Sequence, residues 1–252
     1  AAVGARRLQR PVKLTLDRDY DMSTTGQRHA FMVKYTAAAT WDAETKTPAL
    51  ACLDAQLFSN GGCSLDLSVP VLDRAMLHID NCYKWPALRA RGVVCKTNQP
   101  PHTAFRGFGG PQGLMACEHA MEQLASALKK RFGWMADAAV PSVTAAAEAL
   151  RALSFYRDGV DRTHFGTLIK EGSFHVPRAW AELESTARVA ERRAECAAFN
   201  AENRWRKRGL AMLPTKFGIN FTAKFMNQGG ALVHIYTDGS VLVSHGGTEM
   251  GQ

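Results

Sequence analysis

A chain of 252 residues with 46% hydrophobic and 21% charged residues can bury one large core or two small ones, which excludes disordered and fibrous classes. No apolar run approaches the roughly 20 residues that cross a bilayer, and Ala1-Ala2-Val3-Gly4 opens without an initiator Met or an apolar signal core, so neither membrane span nor secretory peptide is expected. Thirty-one Lys and Arg against twenty-three Asp and Glu give +8, yet Arg188, Arg192, Arg193, Arg204, Arg206, Lys207 and Arg208 alternate with Glu191, Glu195 and Glu202 as on a solvated helix face, which argues against a nucleic-acid partner.

In chain order, residues 1–8 read as the tail of a helix, with Arg6 and Arg7 suited to its last turn. Val12, Leu14 and Leu16 alternate with Lys13 and Thr15 and predict a strand, which the charged stretch Asp17-Arg18-Asp19-Tyr20-Asp21 closes as a loop. That stretch lacks the glycine and distal Glu of a calcium loop. Residues 31–40 and 50–58 predict antiparallel strands joined by a polar tip at 41–46, with Asn60-Gly61-Gly62 ending the second. Residues 70–78 predict a short helix capped by Ser68; its Arg74 would ordinarily serve in a surface ion pair. Arg91-Gly92-Val93-Val94-Cys95 is a strand that leads toward the richest stretch of the chain.

That stretch is Thr103-Ala104-Phe105-Arg106-Gly107-Phe108-Gly109-Gly110-Pro111-Gln112-Gly113. Its glycines permit positive φ angles and a close backbone approach to a ligand, and Pro111 suits a first helical turn. Leu114, Cys117, Met121, Leu124 and Leu128 then mark one face of a helix with Glu118 and Glu122 early, Lys129, Lys130 and Arg131 late, and Gly133 as its stop. The N–H groups at such a helix start attract anions or a polar cofactor edge, with Phe105 and Phe108 as flat walls. A glycine loop capped by an ordinary core helix is the other reading.

After Gly133 the chain turns alanine-rich, and Pro141 and Ser142 open a second helical run ending near Leu153, a candidate linker. His164 and His175 have no second metal-type residue at ligand spacing and read as satisfied surface groups. One long helix is expected from about Trp180 to Trp205. Residues 231–237 and 240–244 flank Asp238-Gly239, a strong hairpin signal. Six cysteines are widely spaced, without a C-x-x-C pair, and are expected to be reduced and mostly buried in a cytosolic setting.

The stretch from Thr103 to Gly113 also resembles the glycine-rich signature of the xanthine dehydrogenase and aldehyde oxidase family of molybdenum hydroxylases. Cys95-Lys96-Thr97-Asn98, Pro214-Thr215-Lys216-Phe217-Gly218-Ile219-Asn220-Phe221-Thr222 and His245-Gly246-Gly247-Thr248-Glu249-Met250-Gly251-Gln252 resemble further family segments in the same order. The resemblance covers nearly the whole chain, is weakest in the alanine-rich stretch, and is closer to the purine-oxidising members than to the aldehyde-oxidising ones. It implies an α+β fold forming part of a two-domain molybdopterin-binding region: the end of the first domain at 1–135, a connection at 136–180, and the start of the second domain at 181–252. It further implies an oxidoreductase that hydroxylates hypoxanthine and xanthine at a molybdenum centre and passes electrons through two [2Fe-2S] clusters and FAD to NAD. A homodimer is implied, in the cytoplasm or alternatively the peroxisome.

Residue roles follow from the resemblance alone. Phe108 and Phe221 would sandwich the purine, with Thr222 hydrogen-bonding nearby and Arg74 meeting charge that develops on the ring. Arg106 and Gly107 would shape the turn beside molybdenum through backbone N–H groups, and Gly251 and Gln252 would belong to a second cofactor loop. The family's catalytic glutamate would lie beyond Gln252 and another substrate-contacting glutamate before Ala1, so the 252 residues are expected to be an internal piece, inactive alone. An aldehyde-oxidising hydroxylase and an inactive structural piece or pseudoenzyme are the alternatives.

Overall fold

The computed structural model describes residues 1–136, 142–222 and 224–248. The chain forms two compact units, Ala1–Lys216 and Phe217–Gln252. In the first, α1 (Ala2–Leu8) and α2 (Arg18–Thr24) precede a sheet of β1 (Phe31–Asp42), β2 (Thr47–Gly62) and β3 (Ala87–Lys96). β1 and β2 are antiparallel, and β3 lies parallel to β2 after a crossover through α3 (Ser68–Leu77), giving the order β1-β2-β3. The mixture of helices and sheet is the α+β architecture expected.

Alternation sets the core. Leu53, Ala55 and Leu57 of β2 point inward, toward a layer made of α3, α4 (Gly110–Phe132) and α5 (Val143–Ser154). Cys117, Ala120, Met121, Ala125 and Leu128 form the buried stripe of α4. Each fully buried Leu or Met side chain contributes about 1.5–3 kcal/mol relative to exposure. Gly133 ends α4 in the left-handed region at φ 67°, its N–H bonded to the Lys129 carbonyl at 3.0 Å. Ser142 caps α5 by accepting the Ala145 N–H at 3.0 Å. Ala146, Ala147 and Leu150 of α5 are fully buried. The alanines that marked this segment as a candidate linker are thus a helix–helix contact surface, small enough to let α5 approach α4.

Several expectations fail for physical reasons. Residues 11–17 form no strand; among the described residues no strand pairs with them, and Leu14 is exposed. The Asp-rich stretch after them is helical instead, with Asp17 at the N-cap position of α2 and Arg18 bridging to Asp21 at 2.8 Å. β2 runs on through Gly62, absorbing the Asn60-Gly61-Gly62 break as an irregularity in its register with β3.

The expected helix over 180–205 is instead α6 (Val176–Thr186) and α7 (Val189–Glu202), interrupted at Arg188 with φ 49°. Trp180 and Val189 explain the interruption. Nine residues apart, they would face roughly opposite sides of a continuous helix, yet here both enter one small cluster with Met212. All six cysteines are free, but only Cys82 and Cys117 are buried, and Cys63 is exposed. Burial pushes the Cys82 thiol up to about 12.

The second unit carries the hairpin β4 (Ala231–Ile235) and β5 (Val241–His245), closed through Gly239 at φ 83° and a Tyr236 N–H bond to the Ser240 carbonyl at 2.9 Å. Among the described residues no helix is long and apolar enough to cross a membrane.

Candidate functional site

The glycine-rich turn is held by three different demands. Gly107 has φ 88° and Phe108 φ 55°, so the left-handed step expected of the glycines is shared with an aromatic residue. The Phe108 N–H bonds to the Phe105 carbonyl at 2.6 Å and the Gly110 N–H to the Gly107 carbonyl at 2.9 Å, closing two successive tight turns. Gly109, at φ −90°, needs no such freedom. A Cβ there would sit 1.8 Å from the Val71 carbonyl oxygen, and one on Gly113 would sit 2.2 Å from that of Ala75. These glycines admit the backbone of α3, so the start of α4 is packed on a helix where the sequence suggested an open approach for a ligand.

Arg74 follows from the same packing. It lies on α3 between Val71 and Ala75, the residues touched by Gly109 and Gly113, and only 5% of it is exposed. The surface ion-pair reading therefore fails. Burial pulls its guanidinium below the ordinary arginine range. One turn on, the His78 Nδ1 lies 2.9 Å from the Arg74 carbonyl, which can only accept, so Nδ1 carries the hydrogen. Burial is the main force lowering His78 to about 4; the carbonyl bond opposes it and the Arg74 charge adds to it, leaving the ring neutral at pH 7.

Arg28, which the sequence did not single out, reaches the turn from the segment before β1. Its Nη1 donates to the Phe108 carbonyl at 2.9 Å, its Nη2 donates to the Arg106 carbonyl, and its guanidinium lies 4.9 Å from the Phe105 ring centre. Phe105 therefore supports a cation. Because all described peptides are trans, drawing the Arg106 and Phe108 carbonyls to one side sends the Gly107 and Gly109 N–H groups to the other. Arg106 itself is exposed. Gly109 is buried against α3, whereas Gly107 is only half-buried. The Gly107 N–H, directed away from Arg28 and next to an exposed arginine, is a donor that fits the oxygen-rich edge of an anionic cofactor.

A buried network also escaped sequence reading. Asp80, fully buried, accepts from the Tyr156 hydroxyl at 2.6 Å and the Lys216 ammonium at 2.7 Å, with His164 Nδ1 at 3.3 Å. Burial by itself would raise this carboxyl, but His164 and Lys216 together hold it below its usual range. His164 is thus no surface group; its side chain is 12% exposed. Asn81 donates to Glu118 at 2.6 Å and to the Pro214 carbonyl at 3.0 Å, and Glu118 also receives Tyr83 and Arg151. Pro214 and Lys216 are therefore fastened to the chain just beyond α3. Asp80 and Lys216 are 136 residues apart, so no local pattern announces the pair.

Of the residues singled out from sequence, Arg74, Arg106, Gly107 and Phe108 are brought together on α3 and the turn packed against it. Phe221 and Thr222 belong to the second unit, both half-buried. There Asn227 brackets Phe221, accepting its N–H at 2.9 Å and donating to its carbonyl at 2.7 Å. Gly251 and Gln252 lie outside the described residues.

Residues 1–132 match the molybdopterin cofactor-binding domain family, and residues 182–252 match a second family of the same description. The chain is 48% identical over its whole length to a xanthine dehydrogenase of Oryza sativa subsp. japonica and 47% identical to a xanthine dehydrogenase/oxidase of Mus musculus. It spans 17% of the length of each. Among solved structures, the aldehyde oxidoreductase of Desulfovibrio gigas superposes with a TM-score of 0.60 at 20% identity, over 96% of this chain and 24% of that one. Quinoline 2-oxidoreductase of Pseudomonas putida 86 gives 0.57 at 21% identity, over 79% and 23%. At such identities the two structures show the shared fold.

Proposed function

Since the chain belongs to the molybdopterin-binding domains of the xanthine dehydrogenase family, we propose that the full-length protein hydroxylates hypoxanthine to xanthine and xanthine to urate. The observation that carries this reading is the seating of α4 on α3 through Gly109 and Gly113, which sets Arg74 beside the turn of Arg106 and Phe108. In this reading the domains divide as 1–135, 136–180 and 181–252. Electrons leave through two [2Fe-2S] clusters and FAD to NAD, in a cytoplasmic homodimer.

When bound, the molybdenum cofactor supplies the two-electron oxidant and a nucleophile competent at neutral pH. The remaining work falls to this chain. Gly107 presents its N–H to the cofactor edge, with Arg106 beside it, and Gly251 and Gln252 contribute from the second loop. Phe108 stacks on the purine ring and helps fix the ring carbon for attack, and Phe221 is assigned the same aromatic role, with Thr222 as a hydrogen-bonding group. Arg74 meets the negative charge that attack pushes onto the far side of the ring, a contribution made mainly in the transition state.

Stacking supplies the test. Aromatic pairs contribute about 0.5–1.5 kcal/mol beyond burial, so in the full-length protein Phe108→Ala and Phe221→Ala should each lower kcat/KM for xanthine by roughly two- to tenfold through lost stacking, with a further loss from poorer orientation. A small non-aromatic aldehyde needs no stacked ring and should be less affected. Equal losses on both substrates would mean that the rings hold the loops and not the purine.

A further inference from the structure

We propose that Arg28 is a positioning residue of this site: it gathers the Arg106 and Phe108 carbonyls onto one guanidinium, which fixes the turn and directs the Gly107 N–H away from Arg28, toward the cofactor. The identity of that ligand rests on the function proposed above; the conformational claim stands independently on the hydrogen bonds. A guanidinium is a rigid fork that can hold two carbonyls at a fixed separation, as Arg28 does through Nη1 and Nη2. The need for such a brace is visible in Phe108, which has a Cβ and yet sits at φ 55°, where side chains are uncommon and the surroundings must hold the backbone.

Arg28 is itself braced. A Cβ on Gly26 would lie 2.6 Å from the Pro101 carbonyl oxygen, so this segment is pressed against the chain that enters the turn. The Thr103 N–H bonds to the Gln27 carbonyl at 3.0 Å, Gln112 donates to the His29 carbonyl at 3.1 Å, and the buried His29 ring meets the Ser68 hydroxyl at 2.7 Å. Residues 26–29 thus form a strap bonded to the turn's entrance, to the first turn of α4 and to the start of α3. The guanidinium's position over the Phe105 ring limits its swing further. Charged donors on both carbonyls also polarise the two peptide groups and strengthen the N–H groups on the opposite face as donors.

The experiment uses the full-length, cofactor-loaded protein and two variants, Arg28→Met and Arg28→Lys. Hydrogen–deuterium exchange should show amides within 103–113 exchanging at least tenfold faster in Arg28→Met, with β2 and the middle of α4 unchanged. Lysine, a single-point donor, should leave most of that defect. In parallel, kcat/KM for xanthine should fall at least tenfold, with molybdenum content retained. In an Arg28→Ala variant, added millimolar guanidinium should restore part of the activity where equal sodium chloride does not. Should Arg28→Met fail to fold, the exchange of Arg28→Lys decides. Unchanged exchange at 103–113, exchange raised equally throughout the chain, or full function with lysine would each overturn the proposal. A parent protein that never turns over xanthine would defeat the proposed function, while the exchange result would still judge Arg28.

Discussion

Gly109→Ala in the full-length protein is expected to lower stability by about 3 kcal/mol or more, at or above the upper end of ordinary overpacking. The added methyl would lie 1.8 Å from the Val71 carbonyl oxygen and 2.8 Å from the Ala75 nitrogen. Both are backbone atoms, so relief requires α3 and α4 to separate by an ångström or more, opening the layer that contains Met121 and Leu72. Gly133→Ala is the comparison. Gly133 also sits at a helix end, with φ 67°, but nothing lies within 4 Å of its missing Cβ. It should cost only the left-handed penalty of about 1–2 kcal/mol. Equilibrium unfolding of the two variants separates packing from backbone strain; an equal or smaller loss for Gly109→Ala would show that the helices are not in backbone contact there. Because Arg74 rides on α3, Gly109→Ala should also impair xanthine turnover in whatever protein remains folded.

Arg74→Met is expected to lower kcat/KM for xanthine by roughly ten- to a hundredfold, because a hydrogen bond to a charged group contributes about 1.5–3 kcal/mol. The proposed role predicts selectivity. Attack on a purine places negative charge on a distal oxygen or nitrogen, where a fixed guanidinium can meet it, whereas an aldehyde keeps its charge at the reacting carbonyl. Aromatic aldehydes should therefore be spared. Methionine matches the length of the arginine stem, so the core position left by a residue only 5% exposed stays filled. Equal loss on both substrates at normal molybdenum content would make Arg74 a scaffold residue and the proposed role wrong.

What the sequence made legible follows from periodicity. The apolar steps through Cys117, Met121 and Leu128 with Gly133 behind them define α4, and alternation about Asp238-Gly239 defines the β4–β5 hairpin. What it concealed depends on partners distant in the chain. Among the described residues no strand pairs with the alternation at Val12, Leu14 and Leu16, and the charged helix breaks so that Trp180 and Val189 can share a cluster. Gly109 and Gly113 resemble loop glycines until α3 is placed against them. Arg28, Asp80 and Lys216 carry no local signature, since each acts on chain dozens of residues away or more. The motif thus revealed the turn, while the groups that hold it became visible only in three dimensions.

The most direct measurement is xanthine turnover by the full-length protein, with molybdenum and pterin determined on the same sample. Close to one molybdopterin-bound molybdenum per chain is expected, with a kcat/KM for xanthine above that for a small aldehyde. A protein that carries the cofactor but leaves xanthine untouched, or prefers the aldehyde, would contradict the proposed function.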